Sequence, residues 1–184
     1  VSDDLKRVRL MTADGAISDH PAADLQFSYR QSRLKAAPGA ANGPTREIVL
    51  TATFLLLDGD RAQLLQERQD ILLERRAKHP DYTALPCAGS FFRNIEPSSR
   101  AERRQAAGWF LEQAGAKAMK ENGATVFERH ANIIVKTGPC SAADVYRLSC
   151  RMQKAVREHF QIDLLREVLL LGRFDGQGQP DRMW

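Results

Sequence analysis

The run from Ile48 to Leu57, IVLTATFLLL, limits the fold more narrowly than any other segment. Its ten residues are all apolar apart from two threonines. A bilayer crossing takes about 20 residues, so the run does not span a membrane. β-Branched residues and Phe54 make Glu47 to Leu57 read as a buried strand. Asp58-Gly59-Asp60 stops that strand and can cap a helix, which reads on to Lys78 with Leu64, Leu65, Ile71 and Leu72 along one side. Upstream, Arg7 to Met11 alternates like a short strand, and Asp14-Gly15 signals a turn. Leu25 to Lys35 has aromatic residues and no helical period, and residues 36–45 form a small-residue loop rich in Gly and Pro.

Downstream, Ser99 with Glu102 is a capping box for a helix that carries Ala106, Ala107, Trp109, Phe110 and Ala114 and ends at Gly115. Thr125 to Phe127 and Ala131 to Lys136 read as strands. Ser141 opens a third helix with Asp144 at the capping-box position. Val145, Leu148, Met152, Val156 and Phe160 recur at helical spacing as a core stripe. Glu167 to Gly172 is a final strand, followed by a polar tail. Strands and helices mix without a regular βαβ rhythm. The expected class is therefore α+β, with helices packed on a mostly antiparallel sheet.

With 43% hydrophobic residues among 184, the chain can bury a real core. Its net charge of +4 comes from scattered cations. A nucleic-acid surface wants a concentrated patch, whereas small anions suit a mild positive balance. Three cysteines with no CxxC argue against a disulfide scaffold or a zinc ribbon and point to a reducing, cytoplasmic location. No dinucleotide-binding or P-loop glycine pattern, HExxH or GxSxG occurs, and the four histidines lack metal-ligand spacing. No signal peptide is visible, and the start at Val1 reads as the interior of a longer polypeptide.

Residues 86–94, PCAGSFFRN, place Ser90 after a glycine and before two phenylalanines. Ser90 reads either as plain turn chemistry or as a hydrogen-bond or proton donor to a ligand, on a loop fixed by burial of Phe91 or Phe92. Arg30, after Tyr29, reads either as a structural ion pair or as a bidentate partner for a ligand carboxylate. Glu167, at the start of an apolar strand, reads either as a solvated strand end or as a carboxyl that desolvation turns into an acid. Arg75, Arg76 and Lys78 suit the negative end of a helix dipole. From the residues alone, the three candidates together describe an anionic-ligand site.

FSYRQSRLK (27–35), RRAKHPDY (75–82), PCAGSFFRN (86–94), GATVFERHANIIVKTG (123–138) and REVLLLGRF (166–174) occur in an order that resembles the UDP-N-acetylenolpyruvoylglucosamine reductase family of peptidoglycan synthesis. The resemblance implies a flavoenzyme, in which NADPH reduces FAD and a hydride passes to the enolpyruvyl double bond of UDP-N-acetylglucosamine enolpyruvate. It implies that Arg30 holds the substrate carboxylate, that Glu167 is kept protonated and assists, and that Ser90 protonates the carbanion. Tyr29 and Arg75 resemble flavin-neighbouring positions. Lys78 resembles a lysine on the nucleotide diphosphate, and Asn94 a hydrogen-bond partner of the substrate.

The expected division is 1–78 as the end of a FAD-binding domain, 79–165 as the substrate-binding domain, and 166–184 as a strand returning to the flavin side with the tail. Two features depart from the family. Arg93-Asn94-Ile95 stands where Lys-Asn-Pro is usual, and no glycine-rich FAD pyrophosphate loop is present. The short spacing from Arg30 to Lys78 resembles the subclass without the extra substrate-clamping loop. A segment lacking the FAD loop is expected to hold FAD poorly and to be inactive alone. The other reading is a non-catalytic nucleotide-sugar-binding module of the same fold.

Overall fold

The computed structural model describes residues 3–35, 47–97, 103–168 and 170. The chain divides into two units between Arg61 and Ala62. The first is a three-stranded antiparallel sheet of β1 (Leu5–Met11), β2 (Ile17–Pro21) and β3 (Ile48–Phe54), in the order β2-β1-β3. Asp14-Gly15 turns the β1–β2 hairpin, with Gly15 at φ +86°. Val8, Leu10 and Leu25 are buried together, with Leu5 and Leu34 against them. Of the strand expected at 47–57, Ile48–Phe54 is present as β3, but its expected burial is not. All seven residues of β3 are exposed. β3 pairs with β1 alone, and the buried cluster of this unit contains none of its side chains. Its composition is that of a strand covered on both faces.

The second unit opens with α1 (Arg61–Lys78), an 18-residue helix with no buried residue. The leucines expected to form its inner face, Leu64 and Leu65, are exposed. A four-stranded antiparallel sheet follows, in the order β4-β7-β6-β5. It is built from β4 (Cys87–Ser90), β5 (Lys120–Glu121), β6 (Ala124–Val126) and β7 (Ile133–Lys136). Against it pack α2 (Ala107–Gln113) and α3 (Ala142–Phe160). The core joins Phe91, Phe92, Leu111, Leu148, Met152 and Val156. Burial of each such side chain stabilises the fold by about 1.5–3 kcal/mol. Phe110 meets Trp109 and Phe160 edge-on, with centroids 4.9 and 5.0 Å away. Every pairing among the described residues is antiparallel, and the class is α+β.

The two capping boxes fare differently. Ser99 and Glu102 lie outside the described residues, and α2 begins at Ala107 with no side-chain cap from its own N-cap residue. At α3 the box is complete. Ser141 Oγ accepts the Asp144 N–H, and Asp144 accepts the Ser141 N–H at 2.7 Å. Asp144 also receives Asn122 Nδ2 at 2.8 Å and pairs with Arg147. The Ser141 backbone and side-chain bonds hold its carboxyl below the ordinary aspartate value. Ser141→Ala is expected to lower the unfolding free energy by about 1 kcal/mol, read from urea denaturation. An unchanged midpoint would show that this cap contributes nothing.

Candidate active site

Ser90 ends β4, a strand where the sequence suggests a tight turn. Cys87 pairs with Val135 and Ser90 with Ile133, so β4 carries one residue more than β7 over the same interval. That extra residue is a β-bulge. Gly89 supplies it at φ +79°, in the region that only glycine enters without strain. A Cβ built on Gly89 would meet no atom within 4 Å. The dihedral, and not crowding by protein atoms, therefore calls for glycine here. Bulges re-aim the side chain that follows them, and the next residue is Ser90. Among the described residues its hydroxyl has no hydrogen-bond partner.

Beyond Ser90 the chain is gripped from both sides. On one side, the Phe91 N–H donates to Asn132 O at 2.8 Å. The Phe92 N–H donates to Asn132 Oδ1, and Asn132 Nδ2 donates to Phe92 O, each at 2.8 Å. On the other side, the Glu167 N–H donates to Phe91 O and the Arg93 N–H to Leu165 O, both at 2.8 Å, around a bridge between Phe92 and Arg166. Phe91 and Phe92 are both buried, with ring centroids 5.4 Å apart. Ser90 and half-buried Glu167, 77 residues apart in the chain, thus lie on adjacent extended segments of one unit. The strand expected at 167–172 is not formed at its described positions 167, 168 and 170; the bridge lies one residue earlier, at Arg166, and residues 169, 171 and 172 lie outside the described residues.

Arg166 fastens the returning segment to α3. Its Nε meets Ser149 Oγ and its Nη2 meets Cys150 Sγ, each at 3.1 Å, and its guanidinium stands 5.0 Å from the Tyr146 ring centroid. Asn94 lies close by in the chain. Its Oδ1 accepts the Ala107 N–H at 3.2 Å and so serves the N-terminus of α2 that lacks its own cap. Arg93 Nε is buried with no hydrogen-bond partner among the described residues.

A second feature sits at the C-terminal end of α1. An open cleft of about 590 Å³ is lined by Arg75, Arg76, Arg129, His79 and Tyr82, with Leu72, Pro80 and Asp81. Arg129 donates to the carbonyls of Ala77 and Arg76 at 2.9 and 3.4 Å, which satisfies the end of the helix, and lies over the Phe127 ring at 5.0 Å. Arg75 therefore belongs to a cationic cleft. Exposed Lys78 is not among the residues lining it and pairs with Glu74. His79 and His130 face one another with centroids 5.8 Å apart. Burial, and then the neighbouring His79, push the His130 imidazole below its ordinary value.

Tyr29 and Arg30 belong to the first unit. They form the tip of a tight turn closed by reciprocal 3.1 Å bonds between Ser28 and Gln31. Arg30 has φ +58°, a strained setting for a residue with a side chain, and its guanidinium is 5.7 Å from the Tyr29 ring centroid. Three side chains that hold these segments together are not evident from the sequence: Asn132, Arg129 and Arg166. Asn132 had a signal, since a carboxamide inside HANIIV must find partners if it is buried. Among the described residues no three His, Cys, Asp or Glu side chains could hold a metal, and no helix is long and apolar enough to cross a membrane.

The fold and the paired segments define an α+β protein. The family model for "UDP-N-acetylenolpyruvoylglucosamine reductase, C-terminal domain" matches residues 79–171, and the chain belongs to that family. It is 39% identical over 176 residues to the UDP-N-acetylenolpyruvoylglucosamine reductase of Synechococcus sp. (strain JA-3-3Ab), covering 95% of this chain and 51% of the relative. With the reductase of Carboxydothermus hydrogenoformans it shares 34% over 172 residues, 94% of this chain and 51% of the relative. The crystal structure of UDP-N-acetylenolpyruvylglucosamine reductase from Thermus caldophilus matches with a TM-score of 0.60 at 24% identity, over 90% of this chain and 52% of that one. That likeness shows the fold. The chain spans about half the length of the relatives it matches.

The His130 setting has a pH consequence. Its folded value lies below that of the unfolded chain, so the unfolded state takes up the proton first as pH falls. Stability contributed by neutral His130 is full above about pH 6.5 and is lost as pH drops below that toward the folded value. Urea midpoints at about pH 7.5 and about pH 5.5 are expected to differ more for the parent than for His130→Gln. An equal difference in both proteins would contradict the burial of a neutral imidazole.

Proposed function

We propose that this chain serves the reduction of the enolpyruvyl group of UDP-N-acetylglucosamine enolpyruvate to UDP-N-acetylmuramate, in cytoplasmic synthesis of peptidoglycan precursor. The observation that carries this reading is the pairing of residues 165–167 with 91–93, which sets Ser90 and Glu167 on adjacent segments inside the family-matched region. The donor set suits the cofactor in part. Arg75 lies in a cationic cleft fit for an anionic group, and Tyr29 is a half-buried ring at a strained turn. These two would lie against FAD, which supplies, when bound, a hydride originating in NADPH.

The chain's own residues do the rest. Hydride addition to the terminal carbon of the double bond sends its π electrons to the carbon beside the carboxylate. Arg30 would pair with that carboxylate through its guanidinium fork and spread the growing charge. Glu167 would lie against the same centre and share its stabilisation. The Ser90 hydroxyl would give its proton to the carbanion, completing the second C–H bond. A serine is a weak acid in water, so position supplies much of the effect. The bulge at Gly89 and the burial of Phe91 and Phe92 supply that position and keep water out. Asn94, through its NH2 group, and Lys78 would hold the nucleotide sugar.

The competent protein on this reading includes further polypeptide. Support comes from the half-length match and from exposed apolar side chains: Ile48, Val49, Leu50 and Phe54 on β3, and Leu64, Leu65, Ile71 and Leu73 on α1. In the complete, flavin-loaded protein, Ser90→Ala is expected to leave flavin reduction by NADPH unchanged. It should slow reduction of the enolpyruvyl group by about 100-fold or more, both read by stopped-flow flavin absorbance. Equal rates in both half-reactions would remove the proton-donor role. Binding of the nucleotide sugar with no turnover at all in the parent would favour a non-catalytic module.

A further inference from the structure

We infer that Asn132 is a positioning residue for this reaction, acting through the Ser90–Phe92 segment; the inference rests on the reading above. Asn132 is 3% exposed and holds Phe91 and Phe92 through three bonds of 2.8 Å. Its backbone carbonyl receives Phe91. Its carboxamide then copies a peptide group, accepting the Phe92 N–H with Oδ1 and donating to Phe92 O with Nδ2. The ladder between β4 and β7 has already been offset by the bulge at Gly89. The side chain carries the pairing one step beyond β7, to the residues that directly follow Ser90.

The opposite edge of the same segment receives Glu167 at Phe91 O and gives Arg93 to Leu165 O. Asn132 therefore fixes the one stretch of backbone that Ser90 and Glu167 both depend on. Ser90 precedes it, and Glu167 is hydrogen-bonded to it. Among side chains this short, only asparagine and a protonated aspartate place a donor and an acceptor on two separate atoms, as the two bonds to Phe92 require. An aspartate carboxylate would face Phe92 O with an acceptor and leave that carbonyl unpaired in a buried place. Protonation restores the donor.

The test is Asn132→Asp in the complete, flavin-loaded protein, followed by stopped flow across pH. Near neutral pH, reduction of the enolpyruvyl group is expected to fall by about 100-fold, with flavin reduction by NADPH unchanged and KM for the nucleotide sugar changed far less than kcat. As pH is lowered the variant should recover toward the parent rate, because the new carboxyl becomes an isostere of the amide. The ionisable groups around it are His130, whose Nδ1 accepts the Asn132 N–H, with His79, Lys117 and Glu112 acting on that imidazole, and Arg93, Arg166 and Glu167 along the paired segments. All are shared with the parent, so the ratio of variant to parent rates isolates position 132.

Equal loss in both half-reactions, or a deficit that does not recover in acid, would overturn the inference and leave Asn132 as fold support only. If Ser90→Ala itself has no effect, the proposed function fails first, which separates the two failures. Should the variant not fold, hydrogen exchange on the parent decides. The Phe92 amide is expected to be protected as strongly as the amides of β7, and rapid exchange there would overturn the clamp.

Discussion

The proposed site depends on the short stretch Phe91–Phe92, whose backbone is satisfied from two directions at once. Asn132 holds one edge and residues 165–167 hold the other. Two buried rings anchor it from below as part of the larger core. An exposed loop bearing Ser90 would sample many positions. A segment with both edges hydrogen-bonded and both side chains buried has one.

The devices around that stretch are of different kinds, and each answers a local demand. Gly89 provides a dihedral that other residues reach only under strain, so the ladder can slip by one residue just ahead of the serine. Arg166 is 8% exposed, and it answers the cost of a buried guanidinium with a hydroxyl, a thiol and an aromatic face on α3. Asn94 lends its oxygen to a helix whose own N-cap residue is alanine. Arg129 does the corresponding service at the other polarity, filling the last carbonyls of α1. Asn94, a ligand-binding candidate in the sequence, is thus partly engaged in closing a helix end.

What could be read from the sequence follows the range of the interactions involved. The Ser141–Asp144 box and the stripe Leu148, Met152, Val156 are local patterns at spacings of three and four, and they appear in α3 as expected. The strands at Arg7–Met11 and Ala131–Lys136 were legible from alternation and β-branching. The burial of β3 was not, because composition reports what a strand is suited to and not what lies beside it. β4 was missed because the glycine that makes its bulge looks like a turn. Within the second unit, the neighbourhood of Ser90 and Glu167 comes from pairing across 77 residues, which no periodicity reveals. The motifs AGSFF and REVLLLG signalled it only by resemblance. Asn132 was visible as a polar residue in an apolar run, yet its partners were not. Tyr29 and Arg30 belong to the other unit, where the strained backbone at Arg30 is a feature that the letters YR do not disclose.

The most direct test of this account is a crystal structure of the complete protein with the enolpyruvyl nucleotide sugar bound. The account predicts the Ser90 hydroxyl and the Glu167 carboxyl on the same side chain of the sugar, with the serine oxygen about 3–3.5 Å from the carbon beside the carboxylate. It also predicts that the Phe91–Phe92 backbone stays paired as described here. A substrate whose double bond lies remote from Ser90, with that pairing intact, would contradict it.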